Sequence, residues 1–315
     1  MDIIGTILWP IKWVIELILV AFHWLFTATG LDPAAGITWV LAIVGLVVVV
    51  RAALIPVFVR QIRSQRKMLE VAPELKKIQD KYKGKRDQFS REAMSRETMA
   101  LYKKAGTNPM SSCLPLLLQM PIFFGLFSVL NDAQAGKTGV GVLTQQLAEQ
   151  FSNASLFGIA PLHSSFQKAM EANPQQVAVM IIAAVMVVLM TGSQFITQLQ
   201  IVSKNMSEAT KASPTFRQQR ILLYILPLVF AFSGFTFPIG VMFYWLASNF
   251  WTMGQQFLVI RNMPSPGSQA AKDREERLAR RGKLTRPDVE IVQVEEKKPQ
   301  RQQPVGKNRA KKKGR

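Results

Sequence analysis

Residues Ile37–Val59 read ITWVLAIVGLVVVVRAALIPVFV, an apolar run broken by one guanidinium, Arg51, about nine residues before the first basic residue beyond it, Arg60. A run of this length suffices to cross a hydrocarbon core, which needs ~20 apolar residues in helix. An arginine at that depth costs a few kcal/mol unless it faces a wet cavity or a partner group. The segment therefore predicts a membrane protein with a polar cavity inside the bilayer.

Working outward, the rest of the chain separates apolar stretches from charge. It is 49% hydrophobic yet carries a formal net charge of +19. Long uncharged stretches run over 105–131, 172–203 and 221–260. At ~1.5 Å per residue the last is about twice the length one crossing needs. Ser233-Gly234 and Pro238-Ile239-Gly240 break it in the middle, so it reads as two short spans joined by a tight turn. Five membrane helices result, at 36–60, 111–132, 176–199, 220–236 and 237–260.

Lysine and arginine set the orientation, because basic short loops stay cytoplasmic. Residues 60–104 hold fourteen of them, 204–220 four and the tail from Arg261 seventeen, whereas 131–175 holds only Lys137 and Lys168. The segments 61–110, 200–219 and 261–315 are accordingly expected in the cytoplasm. The loop 133–175 and the N-terminus are expected outside.

Residues 1–35 could form a sixth span or an uncleaved signal. At 100° per residue, Lys12, Glu16, His23 and Thr27 fall within about 60° of one another, a narrow polar stripe on an apolar helix. Together with Trp9, Trp13 and Trp24, residues suited to headgroup depth, the stripe favours an amphipathic helix in the outer interface over a spanning one. A cleaved signal is not expected, since there is no basic n-region and no A-x-A site. The segment 61–110 reads as a basic helical hairpin. Met68, Val71, Leu75, Ile78 and Tyr82 form a three/four-step seam, Pro73 suits a first turn, Gly84 the bend and Gly106 the end. Beside the membrane, its net charge of +8, counted from Arg60, should attract anionic headgroups or acidic peptide segments. The tail 261–315 is too polar to bury a core; it is expected to be largely disordered, with one helix around 272–281. Its basic end, KNRAKKKGR, suits anionic lipid or ribosomal RNA.

Reactive chemistry finds no footing. The two histidines have no cysteine or carboxylate cluster beside them in sequence, and one cysteine, Cys113, excludes an intrachain disulfide. There is no phosphate loop, no G-x-S-x-G and no HExxH. No enzyme, metal or cofactor is expected. The spans do carry scattered polarity: Gln119, Thr191, Ser193, Gln194, Gln198, Ser248, Asn249, Thr252, Gln255 and Gln256. Singly such residues join helices; together with Arg51 they outline a groove. No carboxylate lies within a span, which removes the usual proton relay of a pump.

The run KMLEVAPELKKIQDKYKGKRDQFSREAMSRETMALYKKAGTNPMSSCLPLLLQMPIFFGLFSVL and the later PIGVMFYWLASNFWTMGQQFLVIR resemble the YidC family of membrane-protein insertases. The resemblance covers about 37–132 and 176–261. It implies an all-α polytopic membrane protein of the bacterial plasma membrane, with five transmembrane helices around a hydrophilic groove, a cytoplasmic hairpin and an N-terminal interfacial helix. Arg51 resembles the family's groove arginine, Gln194 a polar groove position and Trp245 a substrate-contact position. Gln119 and Asn249 join the set from their polarity. The chain departs from the pattern in lacking the lipoprotein cysteine of many Gram-positive relatives and the large outer domain of Gram-negative ones.

The implied function is moving nascent membrane segments from the cytoplasm into lipid, alone or with the Sec translocon. The implied partners are nascent membrane proteins, membrane lipids and, through the tail, the ribosome; the chain could act as a monomer. A small-solute channel or transporter and a non-enzymatic scaffold remain as alternatives. The first would conduct in liposomes, and the second would tolerate loss of Arg51.

Overall fold

The structure, a computed structural model, describes residues 3–85, 87–106, 114–208, 211, 225, 229 and 232–282. Most of the expected span 220–236, residues 107–113 and the tail beyond Gly282 lie outside the described residues. Within the unit Met1–Arg274 the described helices are α1 (Ile3–Ala28), α2 (Gly36–Ala53), α3 (Ile55–Glu70), α4 (Ala72–Lys81), α5 (Gln88–Lys104), α6 (Leu114–Gln134), α7 (Gln145–Asn153), α8 (Phe166–Glu171), α9 (Val177–Lys204) and α10 (Ile239–Asn262). A two-stranded hairpin, β1 (Ser155–Leu156) and β2 (Ala160–Pro161), lies between α7 and α8. A further helix, α11, covers Gln269–Arg280. The described part of the second unit, Glu275–Arg315, carries one i,i+4 ion pair, Glu276–Arg280 at 3.9 Å.

The packing departs from that of a water-soluble bundle in that an apolar interior is matched by apolar outward faces. On α9 the buried residues Val179, Ala183, Met186, Met190, Ser193 and Thr197 recur at steps of four and three, making a seam against α10. The rest of the helix is apolar as well: Ile181, Val185, Val188, Leu189 and Ile196 are exposed. On α2, Trp39, Ala42, Ile43, Leu46 and Val47 are buried while Val48 and Val49 face outward. Apolar residues all round a helix, with the small and polar ones turned inward, are what a lipid solvent selects. Among the described residues, three helices are long and apolar enough to cross a membrane: Gly5–Ala28, α2 and α9.

The apolar run 37–59 is not one continuous helix. The helix ends at Ala53 and restarts at Ile55. Pro56 has no N–H for the carbonyl of Ala52, and this missing i→i−4 bond accounts for the break just below Arg51. Further along, Pro73 sits in the first turn of α4. In α4 and the turn after it, Leu75, Ile78 and Tyr82 are half-buried while their charged neighbours are exposed. Gly84 and Gly106 take left-handed φ values of +85° and +61°, which glycine adopts without the Cβ clash other residues meet. Tyr82 donates to Glu97 across the α4–α5 pair at 2.9 Å, and Lys81 forms an ion pair with the same carboxylate.

The polar stripe of α1 is occupied by protein contacts. The Glu16 carboxylate is fully buried and accepts from the backbone N–H groups of Val140 and Gly141, both at 2.8 Å. Lys12 pairs with Asp132 at 3.3 Å. His23 donates to the Pro33 carbonyl at 2.9 Å and stacks on Trp39. Outward, α1 exposes Ile7, Trp9, Trp13, Val14, Leu17, Trp24 and Leu25. The stripe that marks α1 as amphipathic in sequence therefore faces protein, and its partners lie in or beside loops 29–35 and 135–144.

The long segment between α6 and α9 is folded. Leu143, Ala148, Phe151, Ala154, Ala160 and Leu162 are buried, most of them in the core that holds Trp39 and Leu130. Its backbone also closes the start of α10: Ile239 N–H donates to Ser164 and Gly240 N–H to Leu162, each at 2.9 Å. These are helix-start donors with no partner within their own helix.

Candidate functional site

Four helices, α1, α2, α6 and α10, meet around Arg51. From α2, fifteen residues after Gly36 and thus about 22 Å along the helix, its guanidinium reaches α10 and donates to the Ser248 hydroxyl. One turn earlier on α10, the Tyr244 hydroxyl accepts from the Gln119 side chain of α6 at 3.4 Å, a long bond. Thr252 donates back to the Ser248 carbonyl at 2.8 Å. A small cleft lies among Arg51, Val47, Gln119, Ile122, Tyr244 and Ile15. Its volume of about 10 Å³ is close to the space of a single water. As it stands, the cleft admits water and no helix.

Among the described residues Arg51 has no carboxylate partner. A neutral hydroxyl satisfies one of its five N–H donors and leaves the charge itself uncompensated. That arrangement suits an exchangeable anion: an arriving carboxylate gains a charge-assisted bond that Ser248 cannot match.

The five residues singled out in sequence occupy different places. Arg51 and Gln119 line one cleft. Asn249 donates to the Met190 carbonyl of α9 at 3.2 Å, a helix-to-helix bond. Trp245 sits in an aromatic cluster, with ring centroids 5.7 Å from Phe123 and 5.6 Å from Phe237. Gln194 is half-buried on α9 and does not line the cleft. The residues that complete the site on α10, Tyr244 and Ser248, are not among the five. Their i,i+4 spacing in FYWLASN marks a helical face, and Trp245 with Asn249 marks the face beside it. Periodicity alone does not say which of the two meets Arg51.

Among the described residues there is no cluster of histidine, cysteine, aspartate or glutamate able to hold a metal ion. An α-helical chain with long apolar helices, apolar outward faces and its polar groups turned inward is a polytopic membrane protein. The family model described as "60Kd inner membrane protein" matches residues 30–266. A protein of Tropheryma whipplei (strain Twist) named "Membrane protein insertase YidC" is 48% identical over 314 residues, 98% of this chain and 97% of that one. Proteins of the same name from Bifidobacterium longum and Streptomyces avermitilis are 36% and 45% identical; they cover 97% and 83% of this chain, and 95% and 59% of their own. The chain belongs to the YidC family of membrane proteins.

Proposed function

We infer that this chain is a membrane-protein insertase and chaperone, which moves nascent transmembrane segments from the cytoplasm into the bilayer without covalent chemistry of its own. The family relationship supports the activity. The observation that carries the mechanism is the Arg51 guanidinium, which among the described residues has no carboxylate partner and reaches the neutral Ser248 hydroxyl.

Five spans, at 36–60, 111–132, 176–199, 220–236 and 237–260, surround a groove to which Arg51, Gln119, Gln194, Trp245 and Asn249 contribute. The hairpin 61–110 and the tail 261–315 lie in the cytoplasm, and the N-terminus and 133–175 lie outside. The charge distribution supports this orientation. The contacts of α1 support a helix lying in the outer interface, because Lys12 and His23, ~16 Å apart along α1, bond Asp132 at the end of α6 and Pro33 in the loop before α2, both assigned to the same side.

Insertion then follows from solvation. A nascent segment with an acidic N-terminal tail must carry that tail across ~30 Å of hydrocarbon. Arg51 offers a counterion partway, and the cleft opens as the tail replaces Ser248. The following apolar segment moves into lipid, driven by its burial at ~25 cal/mol per Å². The hairpin receives the substrate, and the basic tail holds ribosomes close and raises local concentration. The chain does this alone or with the Sec translocon.

The test is a substrate series whose N-tail acidic residues are removed in steps, inserted at matched insertase abundance. A guanidinium and carboxylate ~5 Å apart at an effective dielectric of ~20 attract by about 3 kcal/mol before desolvation. Arg51→Ala should therefore reduce insertion of the most acidic tail by roughly tenfold or more, and of the neutral tail little. Arg51→Lys should retain much activity. Equal loss across the series would show Arg51 to be a structural residue.

A further inference from the structure

The turn joining β1 to β2 carries a side chain that neither turn chemistry nor packing accounts for. In Leu156-Phe157-Gly158-Ile159 the Ile159 N–H donates to the Leu156 carbonyl at 3.1 Å, and both central residues are left-handed, with φ of +53° at Phe157 and +72° at Gly158. Such turns favour asparagine, aspartate or glycine at their centre, and a bulky aromatic residue there is strained. Packing does not repay the strain, since Phe157 is 77% exposed and Ile159 57% exposed. The base of the same hairpin is firmly held. Leu156, Ala160 and Leu162 are buried, and Ser155 bridges to Ala35. Gly36 packs so closely on the Ser155–Leu156 backbone that a Cβ there would come within 2.5 Å of it.

We propose that the Phe157–Ile159 tip is a lipid anchor, inserted at headgroup depth in the leaflet where α2 enters the membrane. The hairpin is fixed to the first residues of α2, so its tip stands beside the point where that helix meets hydrocarbon. Residues 154–162, ASLFGIAPL, contain no charge, which leaves nothing to keep the tip in water. A second exposed aromatic, Trp24, follows His23, which is bonded to Pro33 in the loop leading into α2. Aromatic residues gathered at the end of a span are characteristic of the membrane interface. Two side chains on a finger are too small for a stable protein interface, which needs ~800 Å² per partner. They suffice to hold a folded loop against a bilayer already bound through its spans. The strained φ then persists because the tip's environment favours an exposed ring over a turn-forming amide.

The proposal rests on reading α2 and α9 as spans, and the experiment separates the two. The full chain carrying Cys113→Ser is reconstituted in phosphatidylethanolamine/phosphatidylglycerol nanodiscs. Single nitroxide labels are placed through Phe157→Cys, through Glu149→Cys on α7 as an aqueous reference, and through Val188→Cys on α9 as a mid-span reference. The ratio of oxygen to water-soluble nickel-chelate accessibility at 157 should exceed that at 149 several-fold and fall below that at 188. A label at 157 as open to the chelate as the one at 149 overturns the proposal. So does a label shielded from both reagents, which would mean a protein partner. A chelate-accessible label at 188 would instead overturn the span reading. Phe157→Asn gives an independent readout. It should raise the unfolding temperature in detergent by relieving φ strain, while a label through Ile159→Cys moves toward water in nanodiscs. A lowered unfolding temperature, or an unmoved label, refutes the proposal.

Discussion

Replacing Glu16 by glutamine is expected to release the segment Gly139–Gly141 from α1. The wild-type carboxylate is fully buried and accepts two backbone N–H bonds of 2.8 Å. The approach is so close that a Cβ on Gly139 would lie 2.4 Å from the carboxylate, and one on Gly141 the same distance from the Trp13 ring. Glutamine keeps the shape but offers one oxygen, and it turns an amide NH₂ toward the second N–H. The cost is one hydrogen bond to a charged group, about 1.5–3 kcal/mol, and a buried donor left without a partner. Glu16→Ala orphans both donors and should cost more, roughly 3–5 kcal/mol. Amide hydrogen exchange reads the effect locally. An opening made easier by about 2–3 kcal/mol corresponds to exchange at Val140 and Gly141 roughly 30- to 150-fold faster, with α9 amides unchanged. Exchange at those two positions within about threefold of wild type, less than ~1 kcal/mol, would refute the idea that Glu16 holds the loop.

Gly45→Ala should loosen the packing of α1 on α2, because the new Cβ would lie 2.6 Å from the Phe22 ring. Overpacking of this kind costs about 1–3 kcal/mol, measurable as a lowered unfolding temperature that Phe22→Leu partly restores. The α4–α5 pair should loosen in acid. Hydrogen bonds from Lys81 and Tyr82 hold Glu97 below its ordinary value of 4.5, and the bond to Glu97 raises Lys81 above its ordinary 10.5. The Glu97 contribution is therefore present above pH 4.5 and lost as pH falls through the lowered value. The Lys81 contribution is complete below pH 10.5 and lost as pH rises through the raised one. Protection of the α4 amides, taken relative to their intrinsic exchange rate at each pH, should be flat between these limits, and in Glu97→Gln the acid limb should shrink to that of the Asp87 cap, whose carboxyl is held low by the Ser90 N–H.

Local chemistry by itself makes α2 and α9 legible. An apolar run of roughly 18 residues or more has one stable use, and the isolated Arg51 within such a run announces polar company whatever the fold. Pro73, Gly84 and Gly106 are legible for the same reason, since each fixes backbone behaviour at its own position. Pro56 carries an equally local signal, the missing N–H that breaks the span at Leu54, but the hydropathy of the run masks it. What sequence does not supply is the partner of any polar side chain. Arg51 meets Ser248 from 197 positions away, and Glu16 meets the Val140 and Gly141 N–H groups from 124 and 125. Polarity makes Gln119, Gln194 and Asn249 look alike, yet one lines the cleft, one stands on another helix outside it and one bonds a backbone carbonyl. The period of a helix gives the angle between its own residues and leaves its rotation against its neighbours open. Packing of α1, α2, α6 and α10 sets that rotation, and with it which polar groups share a site.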